Sequence, residues 1–182
     1  KDDSFCGLPV VPFEKVESSY PSSEYQMFVA VGYSDLNKKR AGIFEQAKSK
    51  GYKLVSYVHP SVVVVGDFEF GENCFVFENS VIQPFVKIGD DVIIWSGSLI
   101  SHNTTIKDHC FIASHVAIAG SSTIEPYCFL GTNCTLRNGI KIAKDCVIGA
   151  GCVILEDTKE KEVFVTRSTA IPNFNRDLLK DI

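Results

Sequence analysis

Residues 88–123 read IGDDVI IWSGSL ISHNTT IKDHCF IASHVA IAGSST, six consecutive hexads that each open on isoleucine. Working outward by six, the beat runs back through Ile82, Val76, Phe70 and Val64 to Val58. It runs forward through Ile124, Leu130, Leu136, Ile142 and Ile148 to Ile154. All seventeen positions are aliphatic or Phe. With one residue in three qualifying by chance, such a run arises about once in a hundred million trials, so the repeat is real.

The fourth residue after each beat is also selected: Val62, Cys74, Ser80, Val86, Ser98, Thr104, Cys110, Val116, Ser122 and Cys128 are mostly small or β-branched. That position lies two residues before the next beat, so both side chains point the same way along a short strand and the intervening residues turn a corner. Three such sides close a triangular coil of 18 residues. Stacked coils pair their strands in parallel around large and small side chains, so residues 58–157 are expected to form a mainly β domain, a parallel β-solenoid.

Composition supports a soluble core. Hydrophobic residues make up 45% of 182, and 18 basic against 22 acidic residues leave a net charge of −4 with no Lys/Arg cluster, which argues against nucleic acid or a membrane surface as partner. No apolar stretch reaches membrane-spanning length and no signal peptide is visible. Of seven cysteines, Cys74, Cys110, Cys128, Cys134, Cys146 and Cys152 fall on the inward small position, leaving only Cys6. They read as small buried hydrophobes rather than metal ligands or disulfides, and reduced thiols point to the cytoplasm.

Residues 1–57 lack the beat and form a small α/β segment. Gln26 to Val31 reads as a strand, Gly32 as a turn, Ser34 or Asp35 as an N-cap, and a helix follows to about Lys50 before Gly51. Tyr52 to Val58 reads as another strand. This is half of a nucleotide-binding unit, with a helix N-terminus available for phosphate; a cap over the open end of the solenoid explains the segment equally well. Residues 158–182 complete the chain as a loop and tail, with a solvated charged connector over 156–162.

Four histidines occur, at 59, 102, 109 and 115. His102, His109 and His115 lie on successive corners, separated by roughly 15–20 Å of strand, which argues against a single-chain zinc site. A zinc lyase would need to gather such histidines across a subunit interface, and a non-catalytic binding protein is a third possibility.

The hexads, with Ile88-Gly89, Leu130-Gly131 and Ile148-Gly149-Ala150-Gly151, resemble those of hexapeptide-repeat acyltransferases, whose fold is a left-handed β-helix. The left-handed sense comes from the resemblance alone, since crossovers are normally right-handed. A small α/β segment followed by His59-Pro60-Ser61 and then hexads resembles the branch that acetylates nucleotide-linked amino sugars: bacillosamine-pathway UDP-4-amino-sugar acetyltransferases, GDP-perosamine N-acetyltransferases and sialic acid O-acetyltransferase-like proteins. The resemblance implies an acetyl-CoA-dependent N-acetyltransferase of bacterial surface-glycan synthesis, working as a homotrimer with sites between chains. O-acetylation or a longer acyl group is the alternative.

Residue by residue, the stretch Ser101-His102-Asn103-Thr104-Thr105-Ile106-Lys107-Asp108 resembles the family's His-(Asp/Glu)-Cys-x-Ile-Gly-(Asp/Glu), which makes His102 the general base. A sugar amine must lose a proton as it attacks a thioester, and imidazole titrates near working pH. Asn103 replaces the family carboxylate and can orient the ring without lending it a full charge. A second family histidine is Phe111 here. The resemblance places coenzyme contacts at Gly120, Thr132 and Ala150, and nucleotide-sugar contacts at Asp2, Asp3 and Gly32. Gly120 follows His102 by one coil, where its N–H can serve the thioester oxygen. Lys1 is not an initiator Met, and the family's first strand and Gly-rich loop are expected before it. Ile94, Trp95, Leu99, Phe111 and Phe129 suggest outer faces covered by a neighbouring chain.

Overall fold

The computed structural model describes residues 4–168; Asp2 and Asp3 lie outside the described residues. Each hexad becomes a two-residue strand and a corner, and the strands stack in parallel, in register, 18 residues apart, so that Ile112 pairs with Ile94 and Leu130. Three walls result. The first carries Val58, Val76, Ile94, Ile112, Leu130 and Ile148; the second Val64, Ile82, Ile100, Ile118, Leu136 and Ile154; the third Phe70, Ile88, Ile106, Ile124 and Ile142. From Ile82 to Ile148 every beat is at most 4% exposed, and each such side chain contributes about 1.5–3 kcal/mol of burial. Val64 and Phe70, in the first coil, stay exposed because no coil lies beneath them.

The inward small position does more than save space. Ser80, Ser98 and Ser122 each donate a hydroxyl to the carbonyl 15 residues on, at Trp95, Ala113 and Arg137. Cys74, Cys110 and Cys128 do the same with their thiols, to Gly89, Glu125 and Ala143. Cysteine and serine are thus interchangeable there as compact donors to a buried corner carbonyl.

The corners share a second rule. The third residue after nearly every beat has φ near +60°, in columns such as Asn73, Asp91, His109, Tyr127 and Asp145, or Asn79, Gly97, His115, Asn133 and Gly151. Asn, Asp and Gly fill most of these places because they tolerate the left-handed region best. Gly71 and Gly89, each directly after a beat, have a different cause. A Cβ on Gly71 or Gly89 would lie 2.0 or 2.2 Å from the carboxylate of Asp90 or Asp108, which accept the N–H of Glu72 and Asp90.

All six repeat cysteines are buried free thiols, and Cys6 is exposed. Burial pushes Cys74 up to about 11 and Cys134 up to about 12. A thiol-reactive chromophore at pH 8 should therefore find one fast thiol, Cys6, and reach the other six only after denaturation. A second fast thiol in the native chain would overturn this packing.

The expected strand boundaries need correction in three places. Gln26 to Val31 runs extended but forms only a bridge from Met27 to Leu54, because the Val29 N–H is taken by the Asn73 side chain. Tyr52 to Val58 likewise splits into that bridge and the first solenoid strand, Tyr57–Val58. The solenoid does not stop at 157: Val163–Phe164 adds a seventh strand to the first wall by pairing with Val147–Ile148. The connector before it holds the third wall's edge, since Lys141 donates to Asp157 Oδ1, Ala143 to Thr158 Oγ1, and Thr158 N–H to the Lys141 carbonyl. The charged stretch is solvated on one side only.

The helix spans Lys38–Ser49 and its N-cap position is Asn37 rather than Ser34 or Asp35. Asp35, Leu36 and Asn37 are all left-handed, which delays helix entry by a turn. The reason lies below them. Asn37 is buried and donates to the Cys128 carbonyl, while Arg40 is fully buried and uses all five N–H groups: on Asp91 Oδ1 and O, the Cys110 carbonyl, the Gly32 carbonyl and Asn37 Oδ1. Burial lowers the Arg40 pKa, opposed by Asp91. Asp91 also accepts from Asn73 and meets His109 Nδ1 at 2.8 Å. The segment is bolted to the side of the solenoid, and Phe28, Tyr33 and Phe44 pack on Phe75, Phe111 and His109. Phe111 is thus covered by its own chain, and Ile94 points inward; neither belongs to a face awaiting a neighbour.

Candidate functional site

His102 follows the Ile100 beat by two and stands exposed on the corner between the second and third walls. The solenoid fixes it from both sides: its N–H donates to Gln83 Oε1 at 3.0 Å and its carbonyl accepts from Ser121 at 2.8 Å. Asn103, at φ 60°, brings its Oδ1 to 3.2 Å from His102 Nδ1. An amide oxygen only accepts, so this contact selects, for the neutral ring, the tautomer with the proton on Nδ1 and the lone pair on Nε2. The imidazole lies against Gly120, where a Cβ would stand 2.6 Å from Cε1 and 2.7 Å from Nε2. Glycine is required by that approach.

His109 and His115 occupy the other two corners. His109 is buried between Asp91 and the Tyr127 ring, a structural place. His115 is exposed and rests on Gly97, which a Cβ would bring to 2.5 Å from its ring.

The remaining expected residues do not converge with His102 within one chain. Thr132 and Ala150 are exposed and stack on successive coils, but at the corner between the first and second walls. The second wall therefore separates them from Gly120 by roughly 15–20 Å. Its outer face is apolar and uncovered, with Val63 52%, Val153 62% and Leu155 56% exposed. Gly32 lies on the first wall, in an apolar cleft of about 200 Å³ with Phe28, Phe77, Trp95 and Phe111. Its carbonyl accepts from Arg40, and no atom lies within 4 Å of a Cβ there, so sterics do not demand glycine.

Residues 69–102 and 121–156 match the family model described as bacterial transferase hexapeptide, six repeats. The sequence has no significant match among curated proteins. Among solved structures, PerB from Caulobacter crescentus, in complex with CoA and GDP-perosamine, is 28% identical with a TM-score of 0.82, covering 88% of this chain and 77% of that one. A histidine-to-alanine mutant of GDP-perosamine N-acetyltransferase from Caulobacter crescentus, also with CoA and GDP-perosamine, is 28% identical with a TM-score of 0.81, covering 86% of this chain and 74% of that one. The acetyltransferase domain of PglB from Neisseria gonorrhoeae FA1090 is 25% identical with a TM-score of 0.82, covering 90% of this chain and 78% of that one. The repeats of the chain are thus similar to those of the bacterial hexapeptide transferases.

Sequence reasoning missed two residues beside His102. Gln83 accepts from its backbone, and Asn138 donates Nδ2 to the Gly120 carbonyl at 2.6 Å. Both were reachable by arithmetic, since Asn138 lies two coils after His102 and Gln83 one coil and one residue before it.

Proposed function

We propose that this acyltransferase moves an acetyl group from acetyl-CoA to the amine of a nucleotide-linked amino sugar, with His102 as general base. The observation carrying the proposal is the imidazole laid on Gly120 with Nδ1 tied to Asn103, which leaves Nε2 free to take a proton. The sugar amine attacks the thioester carbonyl, a C–N bond forms, and the amine proton passes to Nε2. As the C–S bond breaks, the imidazolium returns that proton to the departing sulfur. No covalent enzyme intermediate is needed. The Gly120 N–H serves the oxygen that gains charge in between.

Thr132 and Ala150 hold the coenzyme, and Gly32, with Asp2 and Asp3, meets the nucleotide sugar. The wall between Gly120 and Thr132 supports a site shared by copies: one coenzyme touches both sets only where the second wall of one chain faces another. The apolar strip on that wall favours the same contact, in a homotrimer. Likeness to enzymes holding CoA and GDP-perosamine supports the donor and acceptor classes.

The test is a panel of UDP-, GDP- and dTDP-linked sugars, amino and hydroxyl, offered with acetyl-CoA while free CoA thiol is measured and products are weighed. Amide products from at least one amino sugar are expected, from a species that sediments as three chains. Acetylation confined to hydroxyl acceptors, or full activity in a stable monomer, would sink the proposal in its chemistry or its shared site.

A further inference from the structure

The corner that carries His102 is a column of residues 18 apart: Pro84, His102, Gly120 and Asn138. The Gly120 carbonyl is held twice, by the Gly139 N–H at 2.9 Å and by Asn138 Nδ2 at 2.6 Å. Asn138 reaches back a full coil to donate to a main-chain carbonyl, as Thr166 does to the Ala150 carbonyl at another corner. It does so at the glycine on which the imidazole rests.

We infer that Asn138 is a positioning residue of the acyl-transfer centre, fixing the Gly120 peptide as the floor beneath the His102 ring. The inference rests on the reading of His102 as the base. A glycine has wide backbone freedom, so a floor built from it holds its place only as far as its peptide is tied. The Gly139 bond ties the carbonyl along the coil axis, and the Asn138 amide adds a second tether from the corner. Loss of that tether lets the Gly120 peptide tilt. The ring above then loses contact and the N–H beside it loses aim, and an error near 1 Å in such places slows a reaction severely. Gln83 braces the same ring from the coil before, through the His102 N–H.

A coil clip with no bearing on the reaction would use the same bond, so stability alone cannot test the inference. Asn138→Ala should lower kcat about 5- to 10-fold, the size of one lost hydrogen bond, with KM for acetyl-CoA changed less than about two-fold. Asn138→Asp keeps the shape but turns an acceptor on the Gly120 carbonyl, and should lower kcat further. In the His102→Ala background, Asn138→Ala should cost clearly less than in the parent, because the imidazole, one of the two groups it aims, is gone while the Gly120 N–H remains. Equal losses in both backgrounds, or an Asn138→Ala enzyme with unchanged kcat, would overturn the inference. An impaired His102→Ala beside a fully active Asn138→Ala removes this inference alone. A fully active His102→Ala removes the base assignment and this inference with it.

Discussion

Replacing His102 with alanine is expected to lower kcat by about 10²-fold or more and to leave KM for acetyl-CoA nearly unchanged, as when a proton acceptor is removed from the transition state. The ring makes its contacts with Asn103 and Gly120 and stands otherwise in solvent, so the fold should not notice the loss. Gly120→Ala tests the same geometry without touching the imidazole. Its methyl would stand 2.6 Å from the ring, forcing His102 off its floor, and kcat should fall nearly as far while the melting temperature holds. His115→Ala should do much less. Turnover measured at saturating acetyl-CoA decides the matter: an undiminished rate for His102→Ala would move the base to the substrate, to His115 or to another chain.

The second large effect is on stability. Arg40→Ala removes the guanidinium partner of Asp91 at a place where both side chains are fully buried, leaving the carboxylate with Asn73 and His109 alone. Breaking a buried pair from one side costs about 3–5 kcal/mol, far more than the pair itself is worth. The cost falls on the docking of the segment before the solenoid, because the same guanidinium ties Gly32, Asn37 and the Cys110 carbonyl together. Limited proteolysis should then cut between Val29 and Lys50 while the hexad core resists. The double variant Arg40→Met, Asp91→Asn, which removes the uncompensated charge and keeps a residue that tolerates the left-handed corner, should recover part of the loss. A single variant that melts and digests like the parent would show that the contacts of Phe28, Tyr33 and Phe44 with Phe75, Phe111 and His109 suffice for docking.

The core was legible because a six-residue period is written in every coil and one residue type satisfies it. The site was legible only in part, for two physical reasons. His102 and Gly120 could be paired because 18 residues separate them, and stacking turns that number into contact. Arg40 could not be paired with Asp91 by any spacing, since helix and solenoid have no common period and their contact depends on how one body lies on the other. The same gap misplaced the helix start and promised a strand from Gln26 to Val31, where propensity was right about extension and silent about partners. The left-handed corners were present in the sequence as Asn and Asp, but His109, His115 and Tyr127 in the same places hid the rule.

The connector at Asp157 and Thr158 has a consequence for assembly. A stack of parallel coils ends in unpaired N–H and C=O groups on three edges, and nothing in the repeat itself forbids another solenoid from continuing it end to end. Here one of the three edges is already occupied, by side-chain oxygens that mimic the next strand's carbonyls at Lys141 and Ala143. An incoming coil can match the first two edges only by breaking register with the third. The chain thus carries its own terminator against fibre growth, and removing both oxygens, in Asp157→Ala with Thr158→Val, should favour filaments before it unfolds the protein.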